Sequence, residues 1–355
     1  MPKQIITDHR TFLIYKVSSP IQDFTDLRDT KDLFLKAKKG AEPIVIVDGS
    51  FEGDMDNISW KEDWVEINSI LYDYWPSHTS TVLLYGDANI EKNYATWCRI
   101  TKQNKAFRRC IYNPNRLLER SLIHYEETKD DKLPRLSFKP KHFICMNAVS
   151  KPHRFDMVEL LFANDWNDKG YISYLNRDQF IVNSSTEYFQ AQTLHLDFNA
   201  EEIKIGNNQL QLPPQYREVC FDIVNESTVS DTSLFITEKT WKPILNKTPF
   251  IPLGSKGMCK HLEEYFGIKP YTDLFDYSFD NLDYPERLYR LKEDNLKRLL
   301  NMDIHELNEI VNSDKMQKLL SYNQSQLLSF RLPRGDNFMS SFINIIEYSD
   351  HLTSY

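Results

Sequence analysis

Apolar and polar positions along the chain fall into two alternating series. In the first, the runs TFLIYKV, EPIVIVDGS, STVLLYGDANI and RCIYNP are short, β-branched and bounded by polar or glycine-containing turns, which predicts buried strands. Between them, WKEDWVEINSILYDYW and IEKNYATWCRITKQNKAF repeat their apolar residues every three or four positions, as helices do. The passage HYEETKDDKLPRLSFKPK, residues 124–141, is charged and carries two prolines, so a linker or hinge is expected there. The second series then begins with strand HFICMNAV, a helix PHRFDMVELLFANDW opened by Pro152, and strands GYISYLN and VCFDIVNES. It continues with a short helix EKTWKPILN, strand TPFIPLG, a helix GMCKHLEEYFG closed by Gly267, and a run of helices over 285–330.

Strands alternating with helices imply parallel, wound sheets. A length of 355 residues suits two domains, each able to bury its own core. The expected fold class is therefore α/β, with two Rossmann-like wound domains over residues 1–135 and 136–335 facing across a cleft. Residues 336–355 are expected to form an amphipathic helix with Phe338, Phe342, Ile345 and Ile346 on one face, which either packs back on the first domain or closes its own.

Charge narrows the function classes. A net charge of −8 argues against a broadly cationic nucleic-acid binder, although KAKKG and KPKH remain local basic clusters. The five cysteines are odd in number, widely spaced and set mostly in apolar runs, which fits free thiols in a reducing cytoplasm. Asp8, His9 and Arg10 interrupt any signal-peptide core, and no apolar run approaches the ~20 residues of a membrane span.

In wound sheets ligands sit beyond the carboxyl ends of strands, where helix N-termini offer free N–H groups and a positive dipole end. Three features of the second half fall at such places. Arg154 stands in the first turn of the helix after HFICMN, placed either to fork onto a diphosphate or to lie solvated at a helix start. Asn225, Glu226 and Ser227 end strand VCFDIV, as ligand contacts or as a plain strand-end turn. Thr237 is an N-cap candidate for the helix that Glu238 and Lys239 begin. A carboxylate there can accept from ribose hydroxyls and an ammonium can neutralise a phosphate oxygen, while a glutamate in a first turn is also ordinary dipole chemistry.

The order of these features, an Arg after the first strand, then N-E-S, then F-I-T-E-K and an apolar strand with Pro and Gly, resembles the donor-binding half of GT-B glycosyltransferases. The similarity is greatest to the alpha-1,3-fucosyltransferase family and related phage and bacterial transferases, over roughly residues 141–283. The resemblance implies an inverting, metal-independent transferase that uses a nucleotide-diphosphate sugar as donor substrate and no further cofactor. Glu238 would hold the ribose, Lys239 and Arg154 the diphosphate, and Asn225 or Glu226 would make a further donor contact. The family's order is E-N-S, so the choice between those two stays open. The implied acceptor is a glycan, a protein or, as in phage enzymes of this two-lobed type, a hydroxymethylated base in DNA. A non-catalytic nucleotide-binding protein is the competing class.

An inverting transferase needs a carboxylate to take the acceptor's proton. Asp48, Glu52 and Asp54 follow strand PIVIV and Asp87 follows TVLLY; Glu52 and Asp87 are the expected bases, and the alternative for each is acidic surface. Asp54 to Asp56 match a D-x-D metal pattern only weakly, and His142, His153 and His195 show no paired ligand spacing. Trp166, Trp241 and Tyr271 could stack on a base or sugar, with core packing as the alternative.

Overall fold

The computed structural model describes residues 3–6, 10–16, 42–49, 65, 68, 72, 80–107, 109–112, 115–129, 136–147, 151–174 and 214–330. It is a mixed α/β structure with two sheets. The first runs in chain order through β1 (Lys3–Ile6), β2 (Arg10–Lys16), β3 (Glu42–Gly49), β4 (Ser80–Tyr85) and β5 (Arg109–Tyr112). β2 to β5 are parallel, as the apolar runs predict, and β1 is an antiparallel edge that the sequence pattern does not announce. Four residues are too few to display a period.

After β4, helix α1 (Ile90–Thr101) buries Ile90, Tyr94, Trp97 and Cys98, the spacing of one helical face, and stops where Lys102 turns left-handed at φ 56°. Helix α2 (Asn115–Thr128) follows β5 and runs through residues 124–128, which corrects the start of the linker expected over 124–141. Leu118 is fully buried in the core of the second sheet, with Leu122 and Tyr125 packed against it, so tertiary burial carries the helix through its charged end.

The second sheet is wholly parallel, with β6 (Lys141–Asn147), β7 (Gly170–Tyr174), β8 (Val219–Asn225) and β9 (Phe250–Leu253) in the order β7-β6-β8-β9. From β6 the chain steps outward through helix α3 (Pro152–Ala163) to β7, and later returns on the other side of β6 to form β8. The order reverses between β6 and β8. Such a switch point opens a crevice at the carboxyl ends of the two strands, the place where wound sheets bind ligands.

Helix α4 (Glu238–Leu245) leads from β8 to β9, and helix α5 (Met258–Phe266) lies between two left-handed glycines, Gly257 at φ 78° and Gly267 at φ 69°. Gly267 thus ends its helix as the sequence predicts. One core joins Phe143, Met157, Phe221, Ile223, Trp241, Phe250, Leu274 and the apolar faces of the helices over 286–329. Trp166, Trp241 and Tyr271 are 4%, 0% and 1% exposed, so the packing alternative holds for all three. Among the described residues no helix is long and apolar enough to cross a membrane. The C-terminal stretch 336–355 lies outside the described residues.

Candidate functional site

At the switch point the turn that leaves β8 is built around Glu226, which is completely buried. Its Oε1 accepts from the Thr237 backbone N at 3.1 Å and the Thr240 hydroxyl at 2.5 Å; its Oε2 accepts from the Thr237 hydroxyl at 2.5 Å and the Ser227 N at 3.0 Å. Both oxygens are thus occupied by protein donors. Glu226 fastens the end of β8 to the first turn of α4, and of the two residues held open as a donor contact this carboxylate is the one already committed. Gly254, at the end of β9, lets the two turns nest: a Cβ there would lie 3.4 Å from Glu226 Cγ and 2.3 Å from Met258 Sδ. Asn225 is 1% exposed and donates from Nδ2 to Asn147 Oδ1 at 3.0 Å, tying the ends of β6 and β8 together.

Helix α3 presents its first turn to the same point. Pro152 fills the first helical position, where no N–H is needed. Arg154 is 3% exposed, which overturns the solvated alternative, and its Nη2 donates to the Glu226 carbonyl at 3.2 Å. Burial lowers the guanidinium's pKa, and the carboxylates of Glu226 and Glu238 act in the opposite sense. His153 lies 2.9 Å from the same carbonyl through Nε2. Burial, then Arg154, Lys151 and Lys239, push its pKa down to about 4, so the ring is neutral at pH 7 and donates from Nε2. Lys151, the N-cap residue, sets its ammonium 2.5 Å from the Ser227 carbonyl.

Helix α4 presents its first turn from the other side. Thr237 is its N-cap and accepts from the Lys239 N, as expected. The Lys239 ammonium donates to Glu238 Oε1 at 2.8 Å and to the Ser227 hydroxyl at 3.1 Å, and the Lys239 and Glu238 side chains are 20% and 11% exposed. Burial raises the pKa of Glu238, but Lys239 and Lys242 more than offset it and the carboxyl is held below its ordinary value. Lys242, one turn on, is lowered to about 8, first by burial, with Glu238 and Asp222 opposing.

Arg154, Ser227, Glu238 and Lys239, singled out from three separate stretches, therefore meet at the end of β8. What the arrangement costs is as informative as its geometry. Cations at a helix N-terminus oppose the dipole by ~0.3–1 kcal/mol each. The first turn of α3 has no acid and no side-chain cap, and carries Lys151 and Arg154 instead. Two positive helix ends and three cations converge on the Glu226–Ser227 turn, Lys151 and Lys239 at Ser227 and Arg154 at the Glu226 carbonyl, with the Glu238 carboxylate beside Lys239. A local field of that sign is suited to a phosphate-bearing ligand.

No family model, curated protein or solved structure matches the chain.

The carboxylates proposed as catalytic base fare differently. Asp87 is 0% exposed, and its carboxylate accepts from the N–H groups of Asn89 at 2.8 Å and Leu234 at 2.7 Å and from Asn93 Nδ2 at 2.6 Å. It pins the loop after β4 to the segment before α4, helped by Ala88 N donating to the Leu234 carbonyl at 2.8 Å and Asn89 Nδ2 to the Thr232 carbonyl at 2.8 Å. Burial raises its pKa against those hydrogen bonds. A carboxylate so enclosed joins two parts of the chain, and no acceptor hydroxyl can reach it. Glu52, Asp54, Asp56 and His195 lie outside the described residues, and Asp48 is described only as a residue of β3.

Sequence reasoning passed over Lys151 and Thr240. An N-cap is normally Ser, Thr, Asp or Asn, so a lysine there reads as surface. Its only signal is the Lys-Pro step at the mouth of a helix after a strand. Residues 274–288, LFDYSFDNLDYPERL, brace the same region: Asp280 accepts from the Cys259 and Lys260 N–H groups at the start of α5, at 2.9 and 3.0 Å, and Tyr284 donates to Asp156 of α3.

Proposed function

We propose that the chain is a glycosyltransferase that takes its sugar from a nucleotide-diphosphate donor bound at the carboxyl ends of β6 and β8. In this reading the two sheets are the lobes of a GT-B architecture, and the acceptor approaches from the side of the first sheet. The observation that carries it is the convergence of the first turns of α3 and α4 on the turn that ends β8, where Arg154 donates to the Glu226 carbonyl and Lys239 to the Ser227 hydroxyl.

The chemistry follows from charge. As the bond from the sugar carbon to the diphosphate breaks, negative charge grows on the leaving phosphate. Cations and N–H dipoles fixed beforehand stabilise that charge without having to reorganise. Arg154 and Lys239 take this role, so the reading does not require a divalent ion. Glu238, kept ionised by Lys239 and Lys242, accepts from the ribose hydroxyls. Attack of the acceptor hydroxyl from the opposite face inverts the anomeric carbon, and its proton passes to a carboxylate of the N-terminal part. Asp87 being enclosed, Glu52 is the remaining assignment.

The test is a panel of UDP-, GDP-, CMP- and dTDP-sugars offered with glycan, protein and hydroxymethylated DNA acceptors, read by mass. Transfer from one donor, lost in both Glu238→Ala and Lys239→Ala, is the expected result. Transfer preserved in both variants would remove the donor site. Binding of a nucleotide with neither transfer nor hydrolysis would leave a nucleotide-binding protein.

A further inference from the structure

The first turn of α3 contains a cation that the resemblance does not assign. Lys151 is the N-cap of a twelve-residue helix, with extended backbone at φ −140° and ψ 152°, and its side chain makes no cap hydrogen bond. At this position a cation faces the positive end of the dipole and is unfavourable by itself. Its ammonium lies 2.5 Å from the Ser227 carbonyl, while the Lys239 ammonium lies 3.1 Å from the hydroxyl of the same serine. Two ammonium groups from two different helix starts therefore share one residue. His153 reports the same crowding, because Arg154, Lys151 and Lys239 all depress its basicity after burial has done so.

Like charges brought together in this way repel; on the α4 side Glu238 pairs with Lys239 at 2.8 Å, whereas the first turn of α3 holds no acid. A ligand carrying two negative phosphates would turn that repulsion into attraction. We infer that Lys151 is a third diphosphate-binding cation of this site, reaching the phosphates from the α3 side as Lys239 does from the α4 side. The inference rests on the proposed donor site and adds a residue to it. It makes Lys151 a selector for diphosphate over nucleoside: the ammonium meets the phosphates and takes no part in holding the ribose or base.

The experiment measures affinity of the full chain for inorganic pyrophosphate, for UDP and GDP, and for uridine and guanosine, in wild type, Lys151→Met, Lys151→Arg and Lys239→Met. Lys151→Met is expected to weaken pyrophosphate and the preferred nucleoside diphosphate by roughly 10- to 100-fold, the range for a lost hydrogen bond to a charged group. Nucleoside affinity should stay within about threefold, and Lys151→Arg should recover most of the loss by keeping the charge. Diphosphate binding weakened by Lys239→Met but unchanged in Lys151→Met would overturn the inference and leave the donor site standing. Equal loss of nucleoside and diphosphate in Lys151→Met would mark a structural role and also overturn it. Wild-type protein that binds neither pyrophosphate nor any nucleoside diphosphate would overturn both.

Discussion

Glu226 offers the sharpest separation between a ligand contact and a structural one. Each of its oxygens accepts one backbone N–H and one hydroxyl: Thr237 N with Thr240 on Oε1, Ser227 N with Thr237 on Oε2. In Glu226→Gln a hydroxyl beside the new amide nitrogen can rotate and accept. A backbone N–H cannot, so whichever way the amide turns, the N–H of Ser227 or of Thr237 is left facing another donor. One buried unsatisfied donor costs about 1–3 kcal/mol, and exchanging charged for neutral acceptors adds about 1 kcal/mol, for roughly 2–4 kcal/mol in all. Glu226→Ala strands all four donors and should cost more. Hydrogen exchange read by mass over peptides spanning residues 226–240 localises the effect: at 1.4 kcal/mol per tenfold, 2 kcal/mol is roughly a 30-fold loss of protection. Protection and unfolding midpoint both within experimental error of wild type in Glu226→Gln, together with lost nucleotide binding, would refute the reasoning and return Glu226 to the ligand.

Glu238→Gln should flatten the acid limb of stability. Because the folded carboxyl sits below its ordinary pKa of 4.5, its contribution is present above that pH and lost as pH falls through the folded value; an acid slope identical to wild type in urea unfolding would contradict this. Asp222, 2% exposed and hydrogen-bonded by the Tyr216 hydroxyl at 2.6 Å, is pushed up to about 7, chiefly by burial, with Lys242 opposing. Its raised value favours the folded state below pH 3.8, and that contribution is lost as pH rises towards 7; by the 1.36 kcal/mol that each tenfold in proton affinity represents, it amounts to at most roughly 4 kcal/mol. Asp222→Asn should therefore be more stable than wild type at pH 8 and less pH-dependent between 4 and 7, and parallel curves for the two proteins would refute it. Asp87→Ala strands the N–H groups of Asn89 and Leu234, while Asn93 keeps the Thr232 carbonyl and Ser233 hydroxyl, and should speed proteolysis near residues 232–235 at a cost of roughly 2 kcal/mol or more; unchanged cleavage would show that the Asp87 link is unimportant.

The strands β6, β8 and β9 were legible because a buried parallel strand must be a continuous apolar run, and β2 to β5 and β7 carry apolar runs of the same kind. The end of α2 was not, because residues 124–128 are helical through what Leu122 and Tyr125 touch in the second core, and local charge points the other way. Thr237 and Gly267 were legible as helix ends, since cap chemistry is local. Glu226 was the harder case. In N-E-S it has the look of a ligand contact, and only folding brings Thr237 and Thr240 onto both its oxygens. Asp87 was misjudged for the same reason: a polar loop after a strand suggests an open site, and the segment that closes over it is some 145 residues away in the chain, as the 147-residue separation of Asp87 and Leu234 shows. Lys151 was hidden by its own unsuitability, because a lysine at a helix start contributes nothing to the helix.

The most direct measurement is a crystal structure of the chain with a bound nucleoside diphosphate. The account predicts the phosphates beside Ser227, between the first turns of α3 and α4, with Arg154 and Lys239 in charge-assisted contact at about 2.7–2.9 Å and the ribose on Glu238. A nucleotide seated elsewhere, for example in the groove lined by Thr272, Asp276, Asp294 and Arg298, with the contacts of Arg154 and Lys239 to the β8 turn unchanged, would contradict it.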